Sequence, residues 1–257
     1  MQAWTSAVAF GVDRLARDQA LRLAREALAI DPRSALALRT IAWTHCQDLY
    51  LGTSVSPETS RAEGLRAASR AVALDNTDQA AYHFKGLFLY LSGDHAAGIS
   101  DMRRALELNG NDAMLLGSLG FAEALAGDAE KGVRYVTEAL RLSPRDPQRF
   151  LLMNLMGWAK FAAGDYASAL TAAQSSAGEN PGFAAPYLCM SVCYAALGDL
   201  PRAKTAFGTL RAIAPELAQS RIDGKWMGSD PNYHRRATTF VRIAAGLDDP
   251  AAADTFR

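Results

Sequence analysis

The sequence predicts an all-α repeat array in which each unit is a pair of helices. A Gly-Asp phrase returns with spacings of 34, 37 and 34 residues, at Gly93, Gly127, Gly164 and Gly198. A second phrase, Ala followed by apolar residues and then Asp, Asn or Ser, ends the units and begins at Ala71, Ala105 and Ala139. A fixed period of this length is the signature of a repeat architecture.

Each Gly-Asp phrase has the chemistry of a tight turn between two helices. Glycine just past a helix end adopts the left-handed conformation, and the aspartate that follows can cap the next helix. The first helix of each unit also carries a small residue near its middle: Ala42, Gly86, Gly120, Gly157 and Ser191. Because glycine inside a helix costs about 1 kcal/mol relative to alanine, this recurrence predicts a close approach by a neighbouring helix.

The predicted array covers residues 1–215 in units of about 1–33, 34–77, 78–111, 112–148, 149–182 and 183–216, followed by a capping helix and tail over 216–257. In the first unit, residues 14–19 replace the Gly-Asp turn of a helix pair from Trp4 to Pro32. An insertion at 51–59 delays the next helix, for which Thr59 or Ser60 is the expected cap. We place Pro147 in a first helical turn, expect a last helix over 232–245, and expect residues 248–257 to be frayed.

The composition narrows the possible functions. The chain has 27 basic and 27 acidic residues, so bulk charge favours neither nucleic acid nor a membrane surface as partner. Three cysteines are too few for a disulfide scaffold and fit a reducing, cytoplasmic setting. No apolar run reaches the roughly 18 residues of a spanning helix. We interpret the apolar start, Met1 to Phe10, as a helix rather than a signal peptide, because it lacks a basic leader.

The repeat resembles the tetratricopeptide repeat, a helix-turn-helix of roughly 34 residues with a small residue in mid-helix, a Gly-Asp turn, and Ala-Leu-x-Leu before proline. Trp4 and Tyr82 stand where that motif favours an aromatic residue. The resemblance is strongest over residues 78–215 and weak after 216. It implies a right-handed superhelical solenoid of antiparallel helix pairs whose first helices line a concave surface.

A narrower resemblance concerns the phrases that begin at Arg103, Ala139 and Phe240. They look like the C-terminal repeat region of bacterial class III adenylate cyclases and of some winged-helix transcriptional regulators. Those proteins carry an N-terminal catalytic or DNA-binding domain, for which this sequence has no room. This resemblance implies a regulatory or interaction module in bacterial signalling, either part of a larger chain or encoded alone.

No residue pattern predicts catalysis, a cofactor or a metal site. The four histidines are scattered, and none forms an i, i+4 pair with a nearby acid. Cys189 and Cys193 are spaced i, i+4 and could bind a metal or sense oxidation, but their apolar neighbours favour core packing. The Arg103-Arg104 and Arg235-Arg236 pairs are typical of solvated helix faces rather than of nucleic-acid contacts. We therefore predict a non-enzymatic protein.

The predicted partner site is the stripe of the first helices that faces the concave surface. It is apolar and aromatic, and it lacks the Lys, Asn and Arg pattern with which some tetratricopeptide domains clamp a terminal carboxylate. Such a groove suits a helix or extended peptide held by apolar anchors. The candidate groove residues are Arg39, Trp43, His83, Leu87, Phe121, Asn154 and Trp158, with Gln47, Tyr90, Gly117, Ala124, Phe161, Leu188 and Val192 on the same stripe.

Three functions remain open from the sequence. The first is a module that binds a protein or peptide in an aromatic groove, and the second is the regulatory part of a nucleotide cyclase or transcriptional regulator. The third is a small-molecule sensor with a pocket near Trp43 and the insertion at 51–59. The aromatic residues could equally be core, packed against neighbouring repeats or the C-terminal helix, and self-association through terminal units is also open.

Overall fold

The computed structural model describes residues 14–256, and these residues form α-helices, one 3-10 helix and connecting turns, with no strand among them. The described residues divide into two compact units, 14–111 and 112–256. Each is built from helices stacked along the chain. The predicted all-α class of stacked helical pairs is confirmed.

The first unit contains five described helices. They are α1 (Arg14–Ile30), α2 (Ala35–Leu51), α3 (Pro57–Leu74), α4 (Gln79–Leu91) and α5 (His95–Leu108). Helix α2 packs against α1 and α3, and α4 packs against α3 and α5. The core between them consists mainly of alanine and larger apolar side chains such as Leu38, Phe84 and Phe88.

The second unit contains eight α-helices and a terminal 3-10 helix. They are α6 (Ala113–Leu125), α7 (Ala129–Leu142), α8 (Arg149–Ala162), α9 (Tyr166–Glu179), α10 (Ala185–Ala196), α11 (Leu200–Ile213), α12 (Pro215–Ile222), α13 (Pro231–Ala244) and the 3-10 helix Pro250–Phe256. The first helices α6, α8 and α10 stack on one another in order. Helix α13 packs mainly on α10.

The four Gly-Asp phrases form the predicted turns. The glycines have φ of 95°, 107°, 80° and 83°, and each following aspartate accepts a hydrogen bond from a backbone N–H in the first turn of the next helix. Asp128, for example, accepts from the N–H of Lys131 at 3.1 Å. These residues therefore serve as helix caps.

The small mid-helix residues mark close crossings between paired helices. A Cβ atom on Gly120 of α6 would lie 2.7 Å from the carbonyl oxygen of Gly132 of α7, and one on Gly132 would lie 2.5 Å from the oxygen of Gly120. Gly86 and Gly98 repeat this arrangement in α4 and α5, at 2.6 Å in both directions. The predicted close approach is confirmed at both crossings.

The irregular N-terminal repeat differs from the prediction at two places. Residues 14–19 are not a turn, because α1 runs without interruption from Arg14, and Trp4 lies outside the described residues. The insertion is a short loop, residues 52–56, and Ser56 rather than Thr59 or Ser60 stands at the N-cap of α3. Pro57 fixes φ in the first turn and so starts the helix earlier than expected.

Two further expectations near later helix ends are wrong. Pro147 precedes α8, which begins at Arg149 with Gln148 at its N-cap. The tail is not frayed, because residues 250–256 form a 3-10 helix in which Ala253 is buried. Phe256 packs edge-on against Phe240 of α13 at 5.6 Å between ring centroids, so the tail is held by aromatic contact.

Candidate functional site

In the first unit, the candidate groove residues lie on α2 and α4. Trp43, His83 and Leu87 are buried, and Arg39 is half-buried. Arg39 forms an ion pair at 3.3 Å with Asp78, whose side chain caps α4 by accepting from Ala81 N–H. Arg39 therefore links α2 to the cap of α4, in addition to any role in binding.

In the second unit, the candidate residues Phe121, Asn154 and Trp158 lie on α6 and α8 and are also buried. Asn154 and Trp158 stand one turn apart on the same side of α8. The Oδ1 atom of Asn154 is buried and accepts no hydrogen bond from the described residues. A buried acceptor without a donor costs about 1–3 kcal/mol, so it marks a point where a donor from a ligand would be stabilising.

A segment of the same chain lies across this part of the second unit. We call residues 223–230, between α12 and α13, the strap. The indole ring of Trp226 in the strap packs edge-on against the ring of Trp158, with centroids 5.9 Å apart. Tyr233 at the start of α13 contacts Trp158 at 6.3 Å and Phe161 at 5.9 Å. The predicted aromatic stripe on α8 thus already holds aromatic side chains from the C-terminal region.

The strap also bonds to the end of α6. The backbone N–H groups of Ser229 and Asp230 both donate to the carbonyl oxygen of Leu125 at 3.1 Å. The last carbonyls of a helix have no partner inside it, and the C-terminal end of the helix dipole is negative. Donors from the strap therefore satisfy an acceptor that the Gly-Asp turn leaves open.

The equivalent carbonyl of α8 has the same kind of partner. Ala162 precedes the turn glycine by two residues, as Leu125 does, and its oxygen accepts from the Arg236 guanidinium of α13 at 2.8 Å. The same guanidinium lies 5.9 Å from the centre of the Phe161 ring. Two successive first helices thus end in a carbonyl oxygen that accepts from the C-terminal region, from the strap at Leu125 and from α13 at Ala162.

A glycine allows the strap to lie directly against α6. Gly228 is buried with φ of 95°, and a Cβ atom there would lie 2.5 Å from the Leu125 oxygen and 2.7 Å from Leu125 Cβ. Both the backbone conformation and the space exclude a side chain. The contact with α6 depends on this residue.

The strap and α13 differ in how deeply they are buried. Tyr233, Ala237 and Phe240 of α13 are buried. In the strap only Gly228 is buried, while Trp226 is half-buried. Helix α13 is therefore a firm cap on the array, and the strap is a lightly held crossing of its surface.

The sequence alone indicated the aromatic stripe but not the strap. Residues 223–231 showed only as a break in helical periodicity. A tryptophan inside such a break, two residues before a glycine, is the signal that could have indicated a bound segment, because an exposed loop rarely needs a large aromatic side chain.

The insertion at 52–56 is tied to the first unit by polar side chains. Arg17 is fully buried and donates to Asp48 and to Thr53, each at 2.9 Å. A second set of contacts joins His45 Nδ1 to Ser60 Oγ at 3.3 Å and His45 Nε2 to the Glu63 carboxylate at 3.2 Å. Burial lowers the pKa of His45, and the neighbouring Glu63 partly opposes this effect.

The paired cysteines are part of the core. Cys189 and Cys193 lie on α10 with sulfur atoms 3.9 Å apart, and both are fully buried. Burial raises the pKa of the Cys193 thiol well above its usual value, which disfavours the thiolate needed for metal binding or oxidation. Over residues 14–256, no group of three or more His, Cys, Asp or Glu side chains is placed to hold a metal ion.

The family model described as tetratricopeptide repeat matches residues 160–222, which span the end of α8 to the end of α12. This match supports the interpretation of the chain as a tetratricopeptide repeat protein. Sequence comparison with curated proteins gave no match. The narrower resemblance to adenylate cyclase regions finds no support in the comparisons and stays a prediction.

Several solved structures share the fold. A chain of the APC/C hetero-tetramer Cut9–Hcn1 aligns with a TM-score of 0.65 at 15% identity, over 93% of this chain and 46% of that one. This chain thus spans about half the length of that protein. A tetratricopeptide repeat protein from Parabacteroides merdae aligns at 0.55 with 16% identity over 88% of this chain and 77% of that one. Pseudomonas aeruginosa PilF aligns at 0.53 with 19% identity, over 83% and 93%. At these identities the likeness establishes the fold alone.

Among the described residues, no helix is both long and apolar enough to cross a membrane.

Proposed function

We propose that this protein is a non-enzymatic interaction scaffold that binds a protein or peptide segment along the aromatic stripe of its first helices. The single observation that carries the proposal is the contact of the strap with α6 and α8. There, Trp158 packs against an aromatic side chain and Leu125 accepts two backbone N–H groups. A surface that binds one segment of polypeptide in this way has the chemistry needed to bind another.

The proposed binding residues are those of the predicted stripe: Arg39, Trp43, His83, Leu87, Phe121, Asn154 and Trp158. Asn154 is the sharpest probe among them, because its buried Oδ1 has no donor in the described chain. A bound peptide that displaces the groups covering this atom would supply that donor through a backbone N–H. A cytoplasmic role in bacterial signalling is the setting that we propose for this scaffold.

The test is selection of peptides from a random displayed library on the immobilised full chain, followed by affinity measurement on two variants. Asn154→Leu should weaken binding of the selected peptides about tenfold, because it removes one buried hydrogen bond. Its melting temperature should hold or rise, since the substitution also removes an unsatisfied acceptor. Thr171→Leu, an exposed polar-to-leucine change on α9, serves as the control and should leave binding unchanged.

Two results would refute the proposal. The first is a selection that enriches no peptide sequence on the parent chain or on a chain that carries Trp226→Ala. The second is a set of enriched peptides that bind the Asn154→Leu chain as tightly as the parent chain. Either result would exclude α6 and α8 as the peptide site.

A further inference from the structure

We infer that the strap is an internal ligand that occupies the peptide site of the second unit. The external partner would be a peptide carrying an aromatic residue two positions before a glycine, the chemistry of Trp226 and Gly228. The inference rests on the proposed function and deepens it, because it names the class of partner and states that this partner competes with the chain itself.

The strap contacts α6 and α8 through the Trp226–Trp158 ring pair, the two N–H groups on the Leu125 oxygen, and the close packing of Gly228 on the same residue. All three belong to one short stretch, so a peptide that offers the same groups can replace them together. The acceptor and the Trp158 ring stay in place when the strap leaves.

The remaining contacts of the strap are with its own flanking helices. Trp226 Nε1 donates to Thr238 Oγ1 at 2.9 Å, and the Met227 carbonyl lies 3.2 Å from His234 Nε2. These bonds do not involve α6 or α8. Because α13 is also buried through side chains far from the strap, such as Phe240, displacement of the strap does not require α13 to leave the array.

The spacing of the three contacts sets the partner's chemistry. The aromatic side chain must reach Trp158 while the glycine two residues later lies against Leu125, where any Cβ atom would come within 2.5 Å of the carbonyl oxygen. The next two residues must offer free N–H groups, which excludes proline at both. A peptide of the form aromatic–x–Gly–x–x therefore fits, and one with alanine at the glycine position does not.

The test uses the full chain and a fluorescein-labelled synthetic peptide with the sequence of residues 223–236, measured by fluorescence anisotropy. In the parent chain the strap competes with the peptide, so binding should be weak. Gly228→Ala in the chain places a Cβ atom against Leu125 and should displace the strap, so that the peptide binds at least tenfold more tightly. Gly246→Ala has a similar positive φ of 76° with no atom within 4 Å, and this control should bind as the parent does.

A second variant avoids any change in backbone strain. Trp226→Ala in the chain removes the side chain that packs against Trp158. It should also raise the affinity of the chain for the labelled peptide at least tenfold. The same substitution in the labelled peptide should abolish its binding to either variant. In parallel, amide hydrogen exchange at Ser229 and Asp230 should accelerate in both chain variants, which reports release of the strap directly.

The outcomes for the internal ligand and for the scaffold are distinguishable. If library-selected peptides bind but neither chain variant changes their affinity or that of the strap peptide, the inference is overturned and the scaffold function stands. A gain of equal size in Gly246→Ala would also overturn it, as would binding that does not depend on the tryptophan of the peptide. Absence of peptide binding to the parent and to every variant overturns both.

Discussion

Replacing Gly120 with alanine tests whether the mid-helix glycines are fixed by the crossing of paired helices. At an open helical position the substitution stabilises by about 1 kcal/mol. At Gly120 the new Cβ atom would lie 2.7 Å from the Gly132 oxygen and 2.8 Å from a methyl carbon of Val136. The backbone oxygen cannot move without separating α6 from α7, so overpacking costs about 3 kcal/mol, the upper end of the usual range.

Gly120→Ala should therefore lower the free energy of unfolding by about 2 kcal/mol, the difference between the overpacking cost and the gain in helix propensity. For a chain of this size, that corresponds to a melting temperature lower by about 4–8 °C. Gly208 on α11 is the matched control, since it is helical and a Cβ atom added there would have no other atom within 4 Å. Gly208→Ala should raise the melting temperature by about 2–4 °C.

Thermal melting followed by circular dichroism at 222 nm measures both variants under one condition. The two melting temperatures should shift in opposite directions. If Gly120→Ala stabilises the chain as Gly208→Ala does, the helix crossing does not require a glycine at this position, and the close approach of α6 and α7 cannot be the reason for it.

Two further predictions concern the polar contacts beneath the insertion of the first unit. Arg17→Met keeps most of the side-chain volume but leaves Asp48 without its cation, so it should lower the free energy of unfolding by about 3–5 kcal/mol. It should also increase proteolytic cleavage at residues 52–56, measured by limited digestion. Burial lowers the pKa of His45 in the folded chain, so its contribution to stability is present above the ordinary pKa near 6.5 and is lost as the pH falls below it. Melting temperatures at pH 7 and pH 5 should therefore differ more for the parent than for His45→Gln. Equal differences in the two chains would exclude His45 as the cause of the stability loss at low pH.

The regular part of the fold could be predicted from the sequence because its determinants are local. A turn glycine and its capping aspartate act within five residues of each other, so Gly127 and Asp128 could be interpreted without any knowledge of distant contacts. The first repeat lacks that phrase, and the turn predicted at residues 14–19 is wrong. Their side chains suit a helix as well as a turn, and the fully buried Arg17 has partners, Asp48 and Thr53, that are more than 30 residues away.

The candidate site shows the same division between local and distant information. Helical spacing placed Asn154 and Trp158 on one side of α8, and the structure places both there. The spacing could not tell which segment covers that side, because the contact of Trp226 with Trp158 joins residues far apart in the sequence. Burial of an aromatic stripe by a distant segment leaves no periodic trace.

The repeat explains why a C-terminal segment can bind the array at all. Each Gly-Asp turn ends a first helix and leaves a carbonyl oxygen at the negative end of its dipole. Stacking places these oxygens at the same end of successive helices, and the chain meets two of them with different donors, backbone N–H groups at Leu125 and a guanidinium at Ala162. The guanidinium belongs to the well-buried α13 and the N–H groups to the lightly held strap. The same repeated acceptor therefore holds the buried cap at one helix and the strap at the other, and we propose that only the strap contact is exchanged for a partner at Trp158.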